Sequence, residues 1–134
     1  MSEYLDRAKA LRADSTRHYN CAQAVLMPFA DAVGVPEEVL FRTAANFGSG
    51  MRTGAVCGAV TGALMALGLM GIEDPAAVQA LLRAVREKHE GCIDCRDLLR
   101  LNAQRGGERK PHCDGMVFEL VELTERIRKE HGLD

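Results

Sequence analysis

Ala55-Val56-Cys57-Gly58-Ala59-Val60-Thr61-Gly62-Ala63-Leu64-Met65-Ala66-Leu67-Gly68-Leu69-Met70-Gly71-Ile72 carries no charged side chain, and its reading decides the fold. Its length stands at the lower edge of a membrane span. Gly58, Gly62, Gly68, Gly71 and many alanines leave it modest apolar surface, however, and no Trp or Tyr belt flanks it. A helix that is apolar all round is equally expected at the centre of a soluble bundle. The stretch therefore reads as a buried helix over Cys57–Met70, with no membrane span. Gly54, Gly58 and Gly62, with Ala55, Ala59 and Ala63 beside them, give a smooth face that another helix can approach closely. Packing within one chain or a homodimer seam would use that face equally well.

The flanking segments read as helices built to surround it. From Ser2 to Ala13, Tyr4, Leu5, Ala8 and Leu11 share one face. Asn20 is a good N-cap for a helix carrying Cys21, Ala24, Val25, Phe29 and Val33. Pro28, which lacks an amide proton, should kink that helix, and Gly34 should stop it. Pro36, Glu37 and Glu38 form a first turn, with Val39, Leu40, Ala44 and Phe47 following. Asn46–Gly54 is too glycine-rich for a regular element. Asp74-Pro75 opens a helix striped by Val78, Leu81, Leu82, Val85 and His89 and ended by Gly91. A short helix follows from Cys95 to Leu101 behind Asp94, then a polar loop from Asn102 to Pro111. The last helix runs from about Cys113 to Glu130, with Met116, Val117, Leu120, Val121, Thr124 and Ile127 inward. No segment alternates as a strand does. The expectation is an all-α bundle of about five to seven helices around the central Gly/Ala-rich apolar helix.

Length and composition agree. A chain of 134 residues is the size of one domain, here 1–134. It is 47% apolar but only 4% aromatic, which suits packing by Leu, Ala, Val and Met in helices. A net charge of −2 gives no electrostatic footprint for nucleic acid. The opening residues lack the basic and apolar regions of a signal peptide, so a cytoplasmic location is expected.

Chemistry is concentrated in the five cysteines, Cys21, Cys57, Cys92, Cys95 and Cys113. An odd count with no export signal argues against a closed disulfide framework. Single cysteines are commonly small buried hydrophobes. Here Cys21, Cys57, Cys95 and Cys113 each fall at or next to an expected helix start, where free amides and the helix dipole favour a thiolate. Thiolates are redox nucleophiles and soft-metal ligands. Cys92-Ile93-Asp94-Cys95 lacks the βαβ setting of a thioredoxin site, and Arg96 stands where haem attachment needs His, so no haem is expected. Cys92, Cys95, Cys113 and His112 have the ligand types for zinc, although adjacent positions 112 and 113 suit one tetrahedron poorly. His18 reads as a surface residue and His89 as the edge of its stripe. The glycine loop before Cys57 lacks Gly-Lys-Ser/Thr and follows no strand, so it is neither a Walker nor a dinucleotide motif. Its amides and Arg52 suit an anion or a Cys57 thiolate; a plain connector fits the same residues.

Asn20-Cys21-Ala22-Gln23-Ala24-Val25, Phe47-Gly48-Ser49-Gly50-Met51, Cys57-Gly58-Ala59-Val60-Thr61-Gly62-Ala63-Leu64-Met65, Cys95-Arg96-Asp97-Leu98-Leu99 and the final Cys113 together resemble the C-GCAxxG-C-C family of redox-active proteins. The likeness spans almost the whole chain. It implies that Cys21, Cys57, Cys95 and Cys113 are the four family cysteines and that Cys92 is an extra.

Three functions remain open at this level. The first is a redox-active protein, in effect a thiol-dependent oxidoreductase, with Cys57 as a low-pKa thiolate, a second family cysteine resolving it as a disulfide, and an unknown redox partner. The second is a metal or electron-transfer domain in which Cys21, Cys57, Cys95 and Cys113 hold an iron–sulfur cluster or zinc. The third is a non-catalytic helical interaction module.

Overall fold

The computed structural model describes residues 2–133, and among them every regular element of more than one residue pair is helical. Helix α1 spans Glu3–Ala13, and the Ser2 hydroxyl caps it by accepting from the Leu5 amide at 3.1 Å. Asn20 opens α2, Cys21–Leu26, through a reciprocal cap. Its side chain accepts from the Gln23 amide, and the Gln23 side chain accepts from the Asn20 amide, each at 2.8 Å. These bonds satisfy two donors that the helix cannot satisfy itself. The kink expected at Pro28 is a 3₁₀ turn over Met27–Phe29, after which α3 resumes over Ala30–Val33 and ends on left-handed Gly34. One expected helix thus becomes two short ones. Helix α4, Glu37–Thr43, buries Leu40 but leaves Val39 49% exposed.

The apolar helix, α5, spans Gly58–Leu69 and packs chiefly against α2 and α8. The glycine face is used inside the chain: a Cβ on Gly62 would lie 2.6 Å from the Ala22 carbonyl oxygen. A side chain there would force α2 away. The helix is not buried all round, since Leu69 is 45% exposed, and no helix among the described residues is long and apolar enough to cross a membrane.

Helix α6, Pro75–Lys88, starts where Asp74 accepts from the Ala77 amide, and it buries Ala77, Leu81 and Val85. Helices α7, Cys95–Gln104, and α8, Arg109–Glu130, both exceed their expected spans. The expected loop from Asn102 to Pro111 shrinks to the residues between them. Pro111 is tolerated because the first amides of a helix have no partner within it. All six residues expected inward on α8, from Met116 to Ile127, are buried, and α1, α2, α5, α6 and α7 pack on this helix. Full burial of each large core side chain, such as Phe29, Leu26 or Leu120, contributes about 1.5–3 kcal/mol. The buried polar groups are paired: Gln23 donates to the Phe41 carbonyl at 2.8 Å and Thr124 to the Leu120 carbonyl at 2.7 Å.

Candidate functional site

Three helix starts and one helix interior meet at one end of the bundle. Cys21 is the first residue of α2 and Cys95 the first of α7, while Cys57 occupies the cap position of α5. An isolated antiparallel bridge, Val56 with Asp94, fastens two of these starts together. Around it the Cys57 amide donates to the Ile93 carbonyl at 2.8 Å and the Cys95 amide to the Ala55 carbonyl at 2.7 Å. Gly58 admits the third start, because a Cβ there would stand 2.8 Å from the Phe47 carbonyl oxygen and 3.4 Å from Cys21 Cβ. Cys113 is different: α8 begins at Arg109, so this cysteine lies one turn inside the helix and not at the start expected for it.

Cys21, Cys57, Cys95 and Cys113, with Arg109 and His112, line a cavity of about 40 Å³. That volume admits an atom the size of a water molecule, not a substrate. Cys21 and Cys113 also line a larger cleft of about 440 Å³, which Cys57 and Cys95 do not reach. A reactant held in this cleft therefore meets Cys21 and Cys113. All five cysteines are free thiols.

The two sulfurs of this pair are unequal. The neighbouring Cys21 and Cys113 thiols act on one another, which raises the pKa of Cys21 and draws that of Cys113 down to about 6. Burial opposes ionisation of Cys113, but the guanidinium groups of Arg109 and Arg12 favour it. Burial pushes the Cys57 thiol up to about 11, although the Ala59 and Val60 amides oppose the rise. Burial also raises Cys95; Cys113 adds to the rise and Arg109 opposes it. The thiolate expected at Cys57 is thus disfavoured there and favoured at Cys113. The amides at Cys57 belong to the first turn of its own helix, and they do not offset the loss of water at a residue with 6% exposure.

Arg12 and Arg109 escape a reading of sequence alone. Arg12 is positioned from α1: its Nε lies 2.6 Å from Asp114 Oδ1, and an Nη donates to the Tyr19 carbonyl at 2.9 Å. Arg109 precedes Cys113 by one turn of α8, a signal visible only once the helix is known to start there.

The remaining candidates separate. Cys92 lines neither cavity and its thiol faces the Glu90 carbonyl at 3.9 Å, so the zinc set with Cys95, Cys113 and His112 does not assemble. Among the described residues no group of three His, Cys, Asp or Glu side chains is disposed to hold a metal ion. His89 pairs with Glu119 at 2.9 Å away from the cavity. His18 is exposed and lines the large cleft. The glycine loop contains an unusual turn: Ser49, Gly50, Met51 and Arg52 all have positive φ, between 53° and 62°. It closes with the Ala55 amide donating to the Gly50 carbonyl at 3.0 Å, and it carries Ser49 and Arg52 to the rim of the large cleft.

No curated protein and no solved structure matches the chain. One family model does, described as "Putative redox-active protein (C_GCAxxG_C_C)", over residues 19–127. That span includes all four cysteines of the cavity, and the chain belongs to the C-GCAxxG-C-C family of redox-active proteins.

Proposed function

We propose that the protein carries out thiol–disulfide exchange, with Cys113 as nucleophile and Cys21 as the resolving thiol. The observation that carries this reading is the placement of Cys21 and Cys113 with Arg12 and Arg109 on the large cleft, which no other cysteine lines among the described residues. Low-pKa, accessible thiolates in electropositive surroundings are the reactive ones.

The Cys113 thiolate attacks one sulfur of a substrate disulfide; the S–S bond breaks and the first substrate thiolate leaves. Cys21, on losing its proton, attacks Cys113 Sγ of the mixed disulfide and expels the second substrate thiolate. Two protein thiols become one disulfide, and the substrate disulfide gains two electrons and, from solvent, two protons. Cys57 and Cys95 do not line the large cleft and take no part in this exchange. On this reading the protein acts in the cytoplasm as a single domain.

The test is a thiol count on anaerobically purified protein before and after mild oxidation, with peptide mapping and elemental analysis. Reversible loss of two thiols as a Cys21–Cys113 disulfide is the expected result. Stoichiometric iron or zinc with all four cysteines protected would replace this reading with a metal domain. Unchanged function after Ser replaces all four would leave a helical interaction module.

A further inference from the structure

The large cleft in front of Cys21 and Cys113 has a pronounced charge pattern. Arg12, His18, Arg52 and Arg109 line it, and no Asp or Glu does among the described residues. Arg12 is already neutralised by Asp114, at 2.6 Å. Arg52 and Arg109 face no carboxylate partner among the described residues; Arg109 instead donates to the Ser49 hydroxyl at 3.2 Å, bridging α8 to the left-handed turn. Three non-glycine residues of that turn are left-handed, a conformation that costs roughly 1–2 kcal/mol each. Strain held at a cleft mouth has a functional result here, since it brings Ser49 and Arg52 to the rim. The cleft volume of about 440 Å³ lies in the range for small-molecule sites.

We propose that the substrate of this site is a small disulfide bearing carboxylates, held by Arg52 and Arg109 so that its sulfurs lie against Cys113. This rests on the thiol–disulfide reading and names the substrate class for it. Guanidinium groups bind carboxylates through paired, charge-assisted hydrogen bonds, and a carboxylate on each half of the disulfide offers one to each arginine. The exchange is the one described above: one substrate S–S bond breaks, one protein S–S bond forms, and two carboxylate-bearing thiols leave.

Three disulfides of nearly one skeleton and different charge test this: dithiodipropionate, bis(hydroxyethyl) disulfide and cystamine, which are dianionic, neutral and dicationic. The oxidation rate of the fully reduced protein by each is divided by the rate at which the same disulfide oxidises free mercaptoethanol at the same pH. The expected normalised rate is about tenfold higher for the dianion than for the neutral compound, and lowest for the dication, with the preference falling as salt rises. Arg52→Gln should narrow the dianion's advantage to about threefold. Reduction of all three with a normalised ratio at or below one overturns the substrate class and leaves the thiol reading intact. An unchanged ratio in Arg52→Gln overturns the placement of the carboxylate. Failure of the reduced protein to react with any of the three overturns both.

Discussion

The amide of Cys95 donates to the carbonyl of Ala55 at 2.7 Å, and with the reciprocal bond from Cys57 to Ile93 it joins the starts of α5 and α7. Two cysteines nearly forty positions apart are thereby held by backbone alone, in a chain whose other regular structure is helical. A single bridge has no sheet to support it, so its persistence depends on the helices it joins.

Amide hydrogen exchange should find Cys57 and Cys95 protected to a degree comparable with the interior of α5. Backbone donors bonded at the head of packed helices open only when those helices do. Rapid exchange at both amides would mean that the bridge does not hold the site.

Alkylation by iodoacetamide should show one fast cysteine whose rate rises with pH through about 6 and is lost in Cys113→Ser. The sign follows from the folded pKa lying below the free value of about 8.5: the reactive thiolate is present at neutral pH and disappears as pH falls through about 6. Cys21→Ala removes the neighbouring thiol that favours the Cys113 thiolate and should move the profile upward, while Arg12 and Arg109 keep it below the free value. Cys57 should stay slow until pH approaches about 11.

Asn20→Ala removes the side-chain half of the α2 cap together with donations to the Ala44 and Ala45 carbonyls at 3.1 and 3.2 Å. Urea denaturation should register a loss of about 1–2 kcal/mol. The same change frees the helix start that positions Cys21, so it should also slow disulfide formation between Cys21 and Cys113.

Gly62→Ala and Gly68→Ala should differ in sign although both lie in α5. The new Cβ at Gly62 would meet the Ala22 carbonyl oxygen, and overpacking of this kind costs about 1–3 kcal/mol. At Gly68 nothing stands within 4 Å, and alanine in an exposed helical position should stabilise by about 0.5–1 kcal/mol. Equal effects in a denaturation series would show that the α2–α5 contact is looser than described.

The functional arrangement was partly legible in the residues. The uncharged, glycine-bearing stretch after Ala55 identifies a close-packed helix because glycine spacing and lack of charge are local properties. The caps at Asn20 and Asp74, the stop at Gly34 and the stripe of α8 are legible for the same reason: each is decided within a turn or two of chain. Which four cysteines belong together is implied by the family pattern, and only the fold brings them to one cavity. The start of α8 was hidden, because its first turn holds Arg109, Lys110 and Pro111, with none of the usual capping signals at Glu108.

What the sequence determined by itself was therefore the helical class, most helix boundaries and the set of cysteines. Tertiary structure alone decided their inequality. Thiol ionisation depends on water and charge within a few ångströms, and at Cys113 these come from Arg12 of α1 and Cys21 of α2, both remote in the chain, together with Arg109 one turn earlier in α8. The same dependence moves the favoured thiolate from Cys57 to Cys113, since desolvation at a packed helix start outweighs the local amides and dipole that a sequence can foresee.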